Sequence, residues 1–177
     1  FPMIRLKGHS LTIGLLLWLG TCHAAGPSVT PTPQYLEPGK ESLRVTAGGT
    51  IAVIVEPAGA GSAAKLQLAS DFLGKRVAAL DSSVKVAAAL VKGSPSIHLW
   101  DYSASSKVPL PLNMLDRQTL SGFDHFGQSY VIKTPDANSL WVLGSSGQGT
   151  LLGAMTVLQL MTKASSGIEI TGAYIRD

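Results

Sequence analysis

A disulfide within the chain is closed to this protein, because Cys22 is its only cysteine among 177 residues. Whatever domain forms must be held by its apolar interior alone. Charge is also sparse: 14% of residues are charged against 45% hydrophobic, an apolar balance for a soluble domain. The basic residues are scattered through Lys65, Lys75, Arg76, Lys85, Lys92 and Lys107, with no cluster interleaved with aromatics. The net charge of +3 is therefore no sign of a nucleic-acid partner. No apolar run approaches the roughly 20 residues that span a bilayer. Neither a Gly-x-Ser-x-Gly elbow nor a helical His-x-x-x-His pair occurs, so serine hydrolysis and a helix-borne zinc site both lack a motif. Internal repeats are missing too.

What is present begins with a leader. Arg5 and Lys7 precede the apolar run Leu11 to Gly20, and Cys22-His23-Ala24-Ala25 follows. A basic start, a short apolar stretch and small residues at its end read as a secretory signal peptide over residues 1–25, with Met3 as its start and an uncleaved anchor as the alternative. Leu19-Gly20-Thr21-Cys22 resembles a bacterial lipobox in which Cys22 would carry a lipid anchor, although Thr21 departs from it. Cleavage after Ala24 or Ala25 is the competing outcome. Loss of the leader removes Arg5 and Lys7 from the 14 basic residues, leaving 12 against 11 acidic ones. Residues 26–41, carrying Pro27, Pro31, Pro33 and Pro38, show no apolar period and are expected to be an extended, mobile linker.

A single domain is expected over residues 42–174, long enough to bury about 68–70% of its unfolded surface. Leu43-Arg44-Val45 and Thr50 to Glu56 flank Gly48-Gly49 as two strands, the second apolar enough to be central. Ser62 stands as an N-cap before Leu66, Ala69, Phe72, Leu73, Val77 and Leu80, whose steps of three and four predict an amphipathic helix of about eighteen residues. Strands are expected at Val84 to Val91 and Ser96 to Trp100, then a poorly patterned stretch with a helical turn near Leu115 to Leu120. Gln128 to Lys133 and Ser139 to Gly144 read as a hairpin across Pro135-Asp136-Ala137-Asn138. Thr150 to Lys163 reads as a helix apolar nearly all round, which must be covered on more than one side. Ile168-Glu169-Ile170 begins another extended segment. The predicted class is α+β, a central, mostly antiparallel sheet with two helices packed on one face.

Chemical motifs are few. Gly144-Ser145-Ser146-Gly147-Gln148-Gly149-Thr150 has the glycine spacing of a phosphate-binding loop without its lysine, so the cation that would reach the outer phosphates is missing. The same glycines with Gly153 and Glu169 approximate a dinucleotide fingerprint, but a tight strand-to-helix bend accounts for them more simply. His98, Asp101, Asp124 and His125 are the conceivable metal or acid/base group. Asp71 with Asp81, or Asp116 with Asp124, are the conceivable carboxylate pair of a glycosidase. An independent hydrolase would have to use Asp124 and His125. Spacing supports none of these, and no residue is assigned a catalytic, metal or cofactor role.

Tyr130-Val131-Ile132-Lys133, the strand Leu140-Trp141-Val142-Leu143-Gly144, and Gly149-Thr150-Leu151-Leu152-Gly153 running to Leu158-Gln159-Leu160-Met161 resemble the non-catalytic N-terminal domain of β-N-acetylhexosaminidases and related exo-glycosidases. The likeness runs from about Leu43 to Asp177. Leu152 departs from it, standing where tyrosine is common. Family 20 and family 84 hexosaminidases and family 67 α-glucuronidases all stay open. The resemblance implies an exported accessory domain that buttresses an intramolecular (β/α)₈ catalytic barrel in carbohydrate degradation, with residues 175–177 as the lead-in to that barrel and no catalytic residue carried over. A free-standing carbohydrate-binding module, stacking sugars on Trp100, Tyr102 and Trp141, is the alternative.

Overall fold

Strand Ser96–Asp101 (β5) is buried at all six positions, the mark of a strand covered on both faces of a sheet. The computed structural model describes residues 29–30, 32–56, 58–59, 61–121 and 127–177. The expected leader with Cys22, and Asp124-His125, lie outside them. In chain order the elements are β1 (Tyr35–Pro38), β2 (Leu43–Thr46), β3 (Thr50–Val55), α1 (Ala63–Leu80), β4 (Lys85–Ala87), β5, α2 (Met114–Ser121), β6 (Tyr130–Asp136), β7 (Ser139–Gly144), α3 (Gly147–Leu160), β8 (Met161–Ala164), β9 (Gly167–Ile170) and β10 (Ala173–Arg176).

Seven strands form one sheet in the order β1-β10-β6-β7-β5-β3-β4. From β7 to β4 the neighbours run parallel, and from β7 to β1 they run antiparallel. The α+β class holds, but the sheet is mixed rather than mostly antiparallel. The reason lies in connections: β3 returns beside itself only after the α1 crossover, and a crossover of that length makes parallel neighbours. The β6–β7 hairpin has the expected place, with Asp136 accepting the Asn138 N–H at 2.8 Å to close the turn. Its register shifts between Lys133 and Asp136, where Pro135 cannot donate to the ladder.

Alternation along these strands sorts two cores. On one face Ile97, Leu99, Ile132, Leu140, Val142 and Ile175 pack with Ala69, Leu73 and Val77 of α1 and Ala154, Val157 and Leu160 of α3. On the other, Trp100, Val131, Trp141 and Leu143 pack with Leu110 and with Leu120 of α2. Two helices thus share a face as expected, and a third covers the opposite one. Helix α1 has the anticipated eighteen residues.

The remaining differences have local causes. Helix α3 begins at Gly147 rather than Thr150, because the Ser146 side chain accepts from the Gln148 N–H at 3.1 Å and caps it. It ends at Leu160, since Met161 to Ala164 pairs with β9 in a second, three-stranded sheet of order β2-β9-β8. Only Lys85–Ala87 of the expected Val84–Val91 strand forms, at the edge beside β3. The Pro-rich segment read as a linker contains β1, whose Leu36 sits opposite Ile175 of β10, with Val29 already buried in the core. Ile175 and Arg176 likewise belong to this sheet, and Asp177 extends it by exchanging two backbone hydrogen bonds with Tyr130 at 2.8 and 3.0 Å.

Candidate functional site

Apart from Cys22, Asp124 and His125, each residue singled out from the sequence now has a place. His98 of β5 directs Nδ1 to Glu56 Oε1 at 3.0 Å and Nε2 to Ser96 Oγ at 3.1 Å, while its ring stacks on Trp141 with centroids 4.0 Å apart. Serine, imidazole and carboxylate in line have the order of a nucleophile, its base and the base's orienter. Ser96 is only 5% exposed, however, and none of the principal cavities among the described residues is lined by these three side chains. No substrate carbonyl can approach that hydroxyl, and the bonds serve to satisfy buried polar atoms. Asp101 caps the following turn, accepting from the Ser103 N–H at 2.9 Å and hydroxyl at 2.6 Å. Among the described residues no three His, Cys, Asp or Glu side chains gather to hold a metal.

The carboxylates conceivable as a glycosidase pair, which their spacing did not support, have other partners. Asp71 lies on α1 and accepts from Gln67 Nε2 one turn back, at 2.9 Å. Asp81, just past α1, is held down to about pKa 2 by its hydrogen bond from Lys163 and by those from Ser83. An acid that strong is ionised throughout the neutral range and cannot donate a proton to a leaving group. Asp116 of α2 is fully buried and accepts from Tyr174 Oη at 2.6 Å, from the Asn113 N–H at 2.9 Å and from the Lys133 ammonium. Asn113 reciprocates by accepting the Asp116 N–H at 2.8 Å, which makes a capping box. Sequence reading missed this network, although the Asn113-x-x-Asp116 spacing was its signal.

Sugar stacking needs an open aromatic face. Trp141 is 8% exposed between His98 and Trp100, and Trp100 is 7% exposed with Nε1 donating to the Ser105 carbonyl at 2.7 Å. Tyr102 packs against the same cluster. The two tryptophans are core and Tyr102 is half-buried against them, so the carbohydrate-module reading loses two of the three rings that were to carry it.

The glycines of the phosphate-loop lookalike serve close packing rather than unusual backbone angles. A Cβ on Gly147 would stand 2.7 Å from Ser62 Cβ, one on Gly153 would stand 2.6 Å from Val142 Cγ1, and Gly149 lies directly on the Ser129 carbonyl. The segment lets α3 settle onto β6, β7 and the start of α1.

On the outer side of α3 is a groove of about 760 Å³. Leu152, Met155 and Leu158 give it an apolar floor, and Thr30, Arg76, Gln128, Gln159, Tyr130 and Asp177 are among its walls. The Gln159 side-chain amide grips the Thr30 backbone at both ends, accepting its N–H at 2.7 Å and donating to its carbonyl at 2.9 Å. Arg76 is fixed by donating to the Met161 carbonyl at 3.2 Å. The Tyr130 hydroxyl meets Thr156 Oγ1 at 2.8 Å, and burial raises its pKa above the ordinary tyrosine value. Among the described residues no helix is long and apolar enough to cross a membrane.

No protein-family model matches this chain, and no curated protein matches it either. Solved structures do. CpGH84B is similar with a TM-score of 0.53 at 18% identity, over 85% of this chain and 22% of that one. The β-N-acetylhexosaminidase of Bacteroides fragilis gives 0.51 at 18%, over 86% and 25%. The family 20 exo-β-N-acetylglucosaminidase of Vibrio harveyi gives 0.51 at 14%, over 85% and 19%. The fold is one found within glycoside hydrolase chains. This chain spans only about a fifth to a quarter of the length of those relatives, and identity this low carries the fold alone.

Proposed function

We propose that the chain is a non-catalytic, N-terminal accessory domain of an exported glycoside hydrolase of the β-N-acetylhexosaminidase type, and that it buttresses a (β/α)₈ catalytic domain. One observation carries the reading: a fold covering 85–86% of this chain recurs as 19–25% of much longer glycoside hydrolases. A domain of that proportion sits beside a larger partner in the same polypeptide. The acids seen here are surface, capping or buried structural groups, in keeping with chemistry done elsewhere. Export rests on the leader over residues 1–25, and the intact mass of the product recovered outside the cytoplasm tests it. A start at Ala25 or Gly26, or an acylated Cys22, supports export; a retained Met3 in the cytoplasm overturns it. The coding DNA after Asp177 tests the main reading. An open frame of several hundred codons with paired acids supports it, and a stop codon directly after Asp177 defeats it.

A further inference from the structure

The face that meets this partner can be named from the geometry of α3. A helix covering a sheet in a free-standing domain turns polar residues outward. Helix α3 does not: behind its buried row of Ala154, Val157 and Leu160, the groove side carries Leu152, Met155 and Leu158, with Met155 41% exposed. The path of the chain singles out the same place. Asp177 is locked to Tyr130 by two backbone hydrogen bonds, and both residues line the groove, so the next residue of a continuing polypeptide sets out from its rim. The walls are already fixed by the Gln159 grip on Thr30 and the Arg76 bond to Met161, so little order has to be imposed on binding.

We infer that the α3 groove is the docking surface for the polypeptide that continues past Asp177, which seats an apolar segment on Leu152, Met155 and Leu158 within a polar rim that includes Gln128. This rests on the accessory-domain reading. Other exposed apolar residues, such as Met114 at 70% and Leu115 at 45% on the opposite side of the sheet and Leu90 at 67%, line none of the principal cavities among the described residues.

The methionines make the test, because thioether oxidation follows exposure. Met155 reports the groove, Met114 the opposite face, and Met161, 1% exposed, the core. The full-length gene product and the chain ending at Asp177 are treated with dilute hydrogen peroxide, and sulfoxide at each methionine is followed by mass spectrometry. Docking predicts that oxidation of Met155 slows by about an order of magnitude in the full-length protein while that of Met114 is unchanged. Equal Met155 rates in the two proteins, with a catalytic domain present, overturn the docking surface and leave the accessory reading standing. Protection of Met114 in place of Met155 also overturns it. So does a Met155 already protected in the short chain together with a doubled solution mass, since that assigns the groove to a second copy. If the gene encodes nothing after Asp177, the accessory reading itself fails.

Discussion

Asp116 shows how a single buried charge is made tolerable. Its two oxygens accept from Tyr174, Asn113 and Lys133, and Lys133 Nζ itself reaches the Pro111 carbonyl at 3.3 Å. Removing one member of a buried pair leaves the other charge uncompensated, which typically costs about 3–5 kcal/mol. Asp116→Ala is therefore expected to lower the unfolding free energy by that amount, seen as a lower urea midpoint with an unchanged m value, and Asp116→Asn, which keeps the acceptor for Asn113, to cost less. Equal midpoints would remove the network from the account. Asp81 sets a pH limit. Its folded pKa is about 2 against the ordinary 3.8, so the unfolded chain takes up the proton first as pH falls. The contribution of Asp81 is complete above about pH 4 and disappears as pH drops through 2. Melting temperatures of the wild type and Lys163→Ala, measured between pH 2 and 6, are expected to converge at the acid end. The capping box was readable from two residues, whereas Lys133 and Tyr174 arrive from β6 and β10 and no local pattern announces them.

Among elements, α1 was legible throughout because its buried positions Leu66, Ala69, Leu73 and Val77 keep a helical period with nothing competing for them. The C-terminal end of α3 was not: Met161 and Lys163 are good helix formers, and pairing with β9 overrides that preference. Strand β1 was lost for a different reason. Four residues ending in proline carry no period, and their partner β10 lies at the other end of the chain. The tight bend read into these glycines is there, between Gly144 at the end of β7 and Gly147 at the start of α3, and what the sequence did not show is the space that Gly147, Gly149 and Gly153 leave for Ser62, Ser129 and Val142. Gly153→Ala should overpack Val142 and Tyr130 and cost about 1–3 kcal/mol in chemical denaturation. A neutral result would mean that α3 lies farther from the sheet than described here. At the start of the fold, Gln159→Ala frees the Thr30 backbone. Faster amide exchange at Thr30, and a loss of roughly 1 kcal/mol per neutral hydrogen bond removed, are expected.

For the molecule as a whole, the sequence order of strands and helices was enough for the α+β class and for two helices on one face. It could not specify the mixed strand order, which is set by pairing between distant segments. The candidate site was legible only in outline: the all-round apolar character of α3 called for a second cover, while the groove depends on Thr30 and Asp177 meeting α3 in space. Two tryptophans are buried, the serine of the relay is 5% exposed, and Asp81 and Asp116 each pair with a lysine. The proposed role, support for chemistry done elsewhere, makes a simple demand of the chain. It is tested most directly by incubating the purified chain ending at Asp177, shown to be folded by circular dichroism, with 4-nitrophenyl N-acetyl-β-glucosaminide. No nitrophenol release above the enzyme-free blank is predicted, and steady turnover proportional to the amount of this chain would contradict the account.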